Sequence, residues 1–383
     1  MIVAFNLLPY TEVSGLEIYA AELIRHLQLD PQDQTILFTN QKSAELFKNL
    51  QPRAIIKTKN FRHLNRLTIT LYQQFAFIKV LRRAKVDLLF CPSLAAPLAW
   101  RKKIVVIHDL AFLRFKQESG RIFRVYLRLA IWSAKNWSLK IAAISEFSRQ
   151  EISSLLKIAP EKIPIISFGA PELADVDTDF AGQTLKKFNL IDSDGNKRKY
   201  WLYLGAGYYR KNLNRLLEAF SLFSQERTEQ NDSNCYLVLA GRQDAGFKKL
   251  AERLDSEPAL ATLKDKIIFS GLISEAAKTV LLKNSLALVL VSLYEGFGIP
   301  LLEAQAAGTA VLSSRSSALP EVAGAGAYFV DPLDTKAIKD ALSFLYLNPD
   351  ARQKLIKLGV ANLSRYSWDK TAANFNLLLR TIK

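Results

Sequence analysis

The sequence predicts an α/β protein made of two doubly wound halves, each a parallel sheet with helices on both faces. Three observations carry this. Short apolar runs alternate with helical patterns through the first half of the chain and again from Tyr200 onward. The runs are mostly apolar, as strands covered on both faces should be, rather than alternating. Between the two series lies a polar stretch, 171–199, with PELADVDTDFAGQ followed by DSDGNKRK. It reads as a linker plus a surface loop. The 383 residues suffice for two separate cores.

In the first half, 2–8 reads as the opening strand and 17–28 as the first helix. TILFT (35–39), AIIKT (54–58), DLLFC (87–91), KIVVIHDL (103–110) and LKIAAIS (139–145) read as strands, with a helix opening at Ser145 or Glu146. In the second half, WLYLGAG (201–207), CYLVLAG (235–241), KIIFSG (266–271), LALVLVS (286–292) and TAVLSS (309–314) are strands. RKNLNRLLEAFSLFSQ supplies a helix after the first of them, and another starts at Pro300. No period of 20–50 residues repeats, which excludes a solenoid.

Composition narrows the class. Apolar runs such as Leu286–Val291 are strand-sized, far below the roughly 18 residues of a spanning helix. MIVAFNLLPY lacks a basic leading region and a small-residue cleavage site, so it reads as a strand and not a signal peptide. Cys91 and Cys235 are too few for a disulfide scaffold or a thiolate zinc site, and three histidines make no His-rich metal centre. A reducing, cytoplasmic setting is expected. Lys and Arg number 52 against 36 Asp and Glu, for a net charge of +16. Residues 53–140 hold 19 basic and 3 acidic residues, so the excess sits in the first half. Such asymmetry points to an anionic partner: nucleic acid, membrane or a phosphorylated substrate.

In doubly wound sheets ligands bind beyond the carboxyl ends of the strands, and the chemistry-bearing residues fall there. In SLYEGFGIPLLEAQAAG, a buried strand ends at Ser292 and a tight loop, Glu295-Gly296-Phe297-Gly298, leads into a helix with Pro300 in its first turn. The two glycines admit close approach of backbone amides, which with the helix start form an anion- and hydroxyl-binding surface. Glu295 on the loop and Glu303 on the helix suit the hydroxyls of a sugar. The plain alternative is a helix cap. YLGAGYYRKNLNRLL places Arg210 and Lys211 after a strand, two cations suited to a diphosphate. Its GAG lacks the third glycine of a dinucleotide fingerprint, and no Walker lysine follows. His108 and Asp109 end a strand of the first half, where Asp109 is equally a cap. Gly15 sits between the first strand and first helix. DVDTD (175–179) and DSD (192–194) mimic metal-binding aspartates but lie in the hydrophilic stretch and read as solvated. Cys91 and Cys235 read as core residues.

Taken in order, Gly15, His108, Arg210-Lys211-Asn212, EGFGIPLLEA, ALPEVAGAGAYFVDP (318–332) and SWDKTA (367–372) resemble the retaining glycosyltransferases of family 4, group 1 type. The likeness is diffuse over 1–170 and dense over 200–372. It implies the GT-B fold: two Rossmann-like domains facing across a cleft, an acceptor domain at 1–170 and a donor domain at 200–364. A closing segment, 365–383, would cross back to the first domain, with Trp368, Phe375 and Leu379 as its apolar stripe. It also implies roles. Arg210 and Lys211 would neutralise the leaving diphosphate, and Glu303 would accept from the ribose hydroxyls. Glu295, with the amides of Gly296, Phe297 and Gly298, would hold the transferred sugar. His108 would contact the sugar near the reacting carbon, and Gly15 would let its loop approach phosphate. EVSGLE departs from the family's glycine doublet or triplet there. No metal or other cofactor is implied beyond the nucleoside-diphosphate sugar.

Within the family the likeness is to bacterial polysaccharide mannosyltransferases. GDP-mannose is thus the expected donor ahead of UDP-glucose, and a glycan or polyprenyl-diphosphate-linked acceptor is expected. The basic first half suggests peripheral attachment to anionic membrane at the cytoplasmic face. Segments 61–85 and 121–137 mix cations with apolar residues at helical spacing, most of which are expected to pack on the sheet. A nucleotide-sugar epimerase of the same fold and a nucleic-acid-binding protein are the alternatives. The EGFG block argues against the latter, and no acid–base residues of an epimerase stand out.

Overall fold

The computed structural model describes residues 1–9, 15–28, 30, 32–48, 50–51, 53–61, 65–232 and 234–382. The chain forms two compact units, Met1–Gly169 with Tyr366–Lys383, and Ala170–Arg365.

In the first unit, β1 (Ile2–Asn6), β2 (Gln34–Asn40), β3 (Ile55–Lys59), β4 (Leu88–Cys91), β5 (Lys103–Ile107) and β6 (Lys140–Ala143) make one sheet in the order β3-β2-β1-β4-β5-β6. Every pairing is parallel. β4 and β5 are buried along their whole length, which is why they read as unbroken apolar runs. The helices used below are α1 (Gly15–His26), α2 (Arg66–Gln74), α3 (Ala76–Arg83), α4 (Arg121–Trp137) and α5 (Glu146–Leu156). Phe77 and Leu81 of α3 and Ile131 and Ala134 of α4 join Leu89, Val105 and Ile107 of the strands in a single core. Ser145 caps α5, its hydroxyl accepting from the Ser148 N–H at 3.0 Å.

Lys103 is a charged residue inside this core. Its ammonium donates to the Pro97 and Leu98 carbonyls and to Ser133 Oγ, each at 2.8 Å. All three of its donors are therefore satisfied, as burial of a cation demands. The bonds pin the β4–β5 connection against α4. Gln74, at the end of α2, holds the same connection through the Leu98 N–H at 2.8 Å.

The second unit repeats the topology. β7 (Lys199–Leu204), β8 (Cys235–Ala240), β9 (Ile267–Gly271), β10 (Ala287–Leu290), β11 (Val311–Ser314) and β12 (Tyr328–Val330) pair in parallel in the order β12-β11-β10-β7-β8-β9. Its helices include α6 (Thr178–Lys187), α7 (Leu213–Glu229), α8 (Ala245–Ser256), α9 (Glu275–Asn284), α10 (Ile299–Ala306) and α11 (Thr335–Leu347). In both sheets the strand order reverses between the first and fourth strands, the place where such folds take ligands.

The stretch 171–199 is not the plain linker and loop that its polarity suggests. It holds α6, whose Leu185 is buried along with Phe188 and Leu190 just beyond it. Asp177 of the DVDTD run caps this helix, accepting from the Phe180 N–H at 2.7 Å. Asp192 closes a turn by accepting from Asp194 and Asn196. A few apolar residues among many charges are enough to dock a short helix, and capping and turn closure account for Asp177 and Asp192. The closing helix, α12 (Trp368–Arg380), belongs to the first unit. Phe375 packs its ring 4.6 Å from Phe90 and 6.1 Å from Phe5. Asp369 meets His26 of α1 at 2.9 Å, and Asn376 donates to the Gln28 carbonyl at 3.1 Å.

Candidate active site

The second unit gathers its chemistry at the strand-order reversal. β7 and β10 are neighbours, with Leu202 opposite Leu288, so the loops leaving their carboxyl ends must meet. The β7 loop ends in a 3₁₀ turn, Tyr209–Lys211, and then Asn212 in the left-handed region at φ 62°. Asparagine tolerates that conformation. Its buried amide donates to the Val291 carbonyl at 3.0 Å and the Pro332 carbonyl at 2.6 Å, tying the loop to the strand ends beyond it. The Leu293 N–H donates to the Arg210 carbonyl at 2.7 Å, so the two loops are also joined through backbone. Further back, Gly207 donates its N–H to Asp244, the cap of α8, at 2.9 Å. A side chain on Gly246 would place Cβ 1.7 Å from the Gly207 carbonyl oxygen, so only glycine permits this contact.

Glu295 is the centre of the arrangement. One oxygen accepts from Arg210 at 2.9 Å, and the other from Lys211 at 2.5 Å and from the Ser292 hydroxyl at 2.8 Å. The carboxylate is buried. Burial alone would push it up, but Lys211 and then Arg210 outweigh it and hold the carboxyl below its ordinary range. Its backbone is gripped as well: its N–H donates to Ser317 Oγ at 2.8 Å, and its carbonyl accepts from the Ala318 N–H at 3.3 Å. Gly298 follows at φ 104°, where a Cβ would also lie 2.6 Å from Leu319. Pro300 occupies the first turn of α10 and Phe297 is buried.

Glu303, one turn into α10, takes a different partner. Lys278 of α9 donates to it at 2.5 Å and also meets Glu275 at 2.6 Å. Burial raises the Glu303 carboxyl above its usual range, offset only in part by Lys278.

The remaining candidates lie in the first unit. Nε2 of His108 sits 2.6 Å from the Pro92 carbonyl. A carbonyl only accepts, so Nε2 carries the proton, and a neutral ring leaves Nδ1 as an acceptor. Burial lowers the His108 pKa, against the pull of the Pro92 carbonyl and Asp109, and keeps the ring neutral. Tyr19 packs edge-on to the ring at 5.0 Å. Asp109 caps the turn after it, accepting from the Ala111 N–H at 3.0 Å. Gly15 is the first residue of α1; residues 10–14 before it lie outside the described residues. The structure thus brings Arg210, Lys211 and Glu295 into one cluster, gives Glu303 its own ion pair, and leaves His108 and Gly15 in the other unit. Sequence reasoning missed Lys278, Ser292 and Ser317. None has a local signal, since a lysine in a helix and serines at strand ends are common.

A profile of the group 1 glycosyl transferases matches residues 188–360, and one of glycosyltransferase family 4 matches residues 13–171. The O-antigen chain mannosyltransferase RfbU of Salmonella typhimurium is 24% identical over 362 residues, covering 93% of both chains. O-antigen chain mannosyltransferase B of Escherichia coli is 23% identical over 380 residues, again covering 93% of each. Among solved structures, sucrose-phosphate synthase from Thermosynechococcus elongatus superposes with a TM-score of 0.73 at 17% identity, covering 100% of this chain and 98% of its own. Anabaena HepE, solved with UDP-glucose, gives 0.71 at 13% identity over 99% of each chain. At such identities the structures show the fold alone, the GT-B fold, and the two profiles account for both halves of the chain. The chain belongs to the group 1, family 4 glycosyltransferases, hexosyltransferases of the GT-B fold.

Proposed function

We propose that this protein transfers mannose, with retention of configuration, from GDP-mannose to a glycan or polyprenyl-diphosphate-linked glycan during polysaccharide synthesis. The Arg210–Glu295–Lys211 cluster carries the reading. Two cations fixed at the strand-order reversal are placed to take up the charge that develops on a departing diphosphate. They supply the stabilisation that a divalent ion would give, and the reaction is proposed to proceed without one. Glu303 accepts from the ribose hydroxyls, Glu295 and the amides of Gly296, Phe297 and Gly298 hold the sugar, and neutral His108 offers Nδ1 to a hydroxyl near the reacting carbon. Gly15 would allow its loop to approach phosphate. No side chain is assigned as a covalent nucleophile. The two O-antigen mannosyltransferase relatives, aligned over nearly their whole length, favour mannose. UDP-glucose is the second reading, favoured by the HepE complex. Melting the protein with GDP-mannose and with UDP-glucose, then measuring release of the matching diphosphate with and without EDTA, tests donor and metal together. A shift with UDP-glucose alone, or activity lost in EDTA and restored by manganese, would overturn it.

The place of work is proposed as the cytoplasmic face of an anionic membrane, and here the exposure pattern departs from expectation. Ile78 is buried, but Leu67, Leu71 and Phe75 of the first basic segment are exposed, Leu67 at 68% and Phe75 at 70%. On α4, Ile122, Val125, Leu129 and Trp132 are exposed, Ile122 at 86%. They recur at spacings of three, four and three, one helical face. Arg121, Arg128 and Lys135, all exposed, run along its edge at spacings of seven. The core side of α4 is filled by Leu127, Ala130, Ile131 and Ala134, which leaves its other apolar residues no place on the sheet. Apolar residues rimmed by cations suit the interface of an anionic bilayer. Among the described residues no helix is long and apolar enough to cross a membrane.

A further inference from the structure

We propose that Ser317 is a positioning residue, held in a strained backbone so that its hydroxyl fixes the sugar-binding loop at Glu295. Six described non-glycine residues have positive φ. Lys85, Lys157, Asn189 and Asn231 close helices at their C-terminal ends, the ordinary use of this conformation. Asn212 is an asparagine, which tolerates it. Ser317, at φ 52°, does neither: it follows β11 and precedes a five-residue helix. A side chain is strained there and glycine would not be. What serine adds is Oγ, and Oγ accepts the Glu295 N–H at 2.8 Å.

The surroundings show what this contact opposes. Arg210 and Lys211 pull the Glu295 carboxylate towards the β7 loop, while Ser317 and Ala318 hold its backbone from the β11 loop. The β11 loop is itself braced: Ser314 and Ser316 both donate to the Ser292 carbonyl, at 2.5 and 2.8 Å, and contact each other at 3.0 Å. The four serines therefore link β10, β11 and the loop through hydroxyls. Ser292 reaches the Glu295 carboxylate, whereas Ser317 holds the backbone of the loop that carries the amides of Gly296, Phe297 and Gly298. With the hydroxyl removed, the Glu295 N–H loses its partner and those amides lose their fixed aim.

The inference rests on the assignment of Glu295 and its loop to the sugar site, and three variants separate the two. Ser317→Ala keeps the strain and loses the hydroxyl. Ser317→Gly loses both. Ser317→Thr keeps the hydroxyl and worsens the strain, because its side chain is branched at Cβ. Amide hydrogen exchange over 295–298 in the ligand-free protein is read alongside melting temperature and diphosphate release from GDP-mannose or UDP-glucose, whichever the wild type consumes. We expect about tenfold faster exchange in the Ala and Gly variants but not in Thr. We expect Gly to melt above Ala, and Thr to turn over more than Gly although it melts lower. Unchanged exchange in Ala and Gly, or turnover that simply follows melting temperature, overturns the proposal. Should exchange respond while Glu295→Gln retains wild-type turnover, the site assignment itself is wrong and the proposal falls with it.

Discussion

Lys278 and Glu303 close an ion pair of 2.5 Å between α9 and α10, and it stands apart from the Arg210–Glu295–Lys211 cluster on the same unit. Each half of the EGFG…E block therefore has its own counter-charge. Lys278→Met should leave the Glu303 carboxyl buried and unpaired, at a cost of about 3 kcal/mol. Its pKa, already raised by burial, rises further. A carboxyl whose folded pKa is raised destabilises as pH rises, so the loss should be larger at pH 8 than at pH 5. Donor affinity needs the carboxylate and should fail at a higher pH in the variant than in the wild type. Urea melts and GDP titrations across pH 5–8 check both.

Arg210→Ala and Lys211→Ala should each remove roughly 3–4 kcal/mol of transition-state stabilisation, the scale of one preorganised donor. Glu303→Ala should weaken nucleotide binding, whereas Glu295→Ala should chiefly lower turnover. Steady-state kinetics at saturating donor distinguish them; full activity in both glutamate variants would sink the assignment.

Phe375 lies fully buried between Phe5 and Phe90. Phe375→Ala should cost the first unit about 3–5 kcal/mol. Denaturation followed by tryptophan fluorescence should show that loss, with the nucleotide affinity of the folded protein little changed.

Lys103 is pulled down to about 8, chiefly by burial. A lysine whose folded pKa is depressed penalises the folded state below its unfolded value of about 10.4 and most of all below about 8. Stability should therefore rise as pH increases from 8 towards 10, and Lys103→Met should abolish that rise. Midpoints of urea unfolding at pH 7.5 and 9.5 are the measurement.

For the membrane, Ile122→Asp with Leu129→Asp should sharply reduce pelleting with anionic vesicles at low salt, and turnover on a soluble acceptor should be unaffected. Equal pelleting of the wild type with neutral and anionic vesicles, or none with either, would remove the membrane claim.

Most strands were legible because burial on both faces leaves mainly apolar residues, with Lys103 of β5 and the exposed β3 as exceptions, and the strand-end loops because glycine, proline and paired charges mark them. The family resemblance then joined Arg210, Lys211 and Glu295 to a single donor, and the neighbouring of β7 and β10 supplies the physical cause of their meeting. What stayed hidden depends on contacts far apart in sequence. Lys278 resembles any helical lysine until α9 lies against α10. Ser317 resembles any loop serine until its φ and the Glu295 N–H are seen together. The polarity of 171–199 hid α6, because Leu185, Phe188 and Leu190 are sparse among charges. On α4 the period gave the helix but not which apolar residues faced outward, since both faces carry them.

The placement of α12 has an implication for biogenesis. The first unit is assembled from both ends of the described chain, with 170–365 threaded between. On a ribosome, which delivers the N-terminal part first, Phe5 and Phe90 emerge long before Phe375 arrives to cover them. The middle unit has all of its residues in hand earlier and is free to fold first. For that interval Phe5 and Phe90 lack the ring that covers them, and the arrival of α12 is the step that seals the first unit.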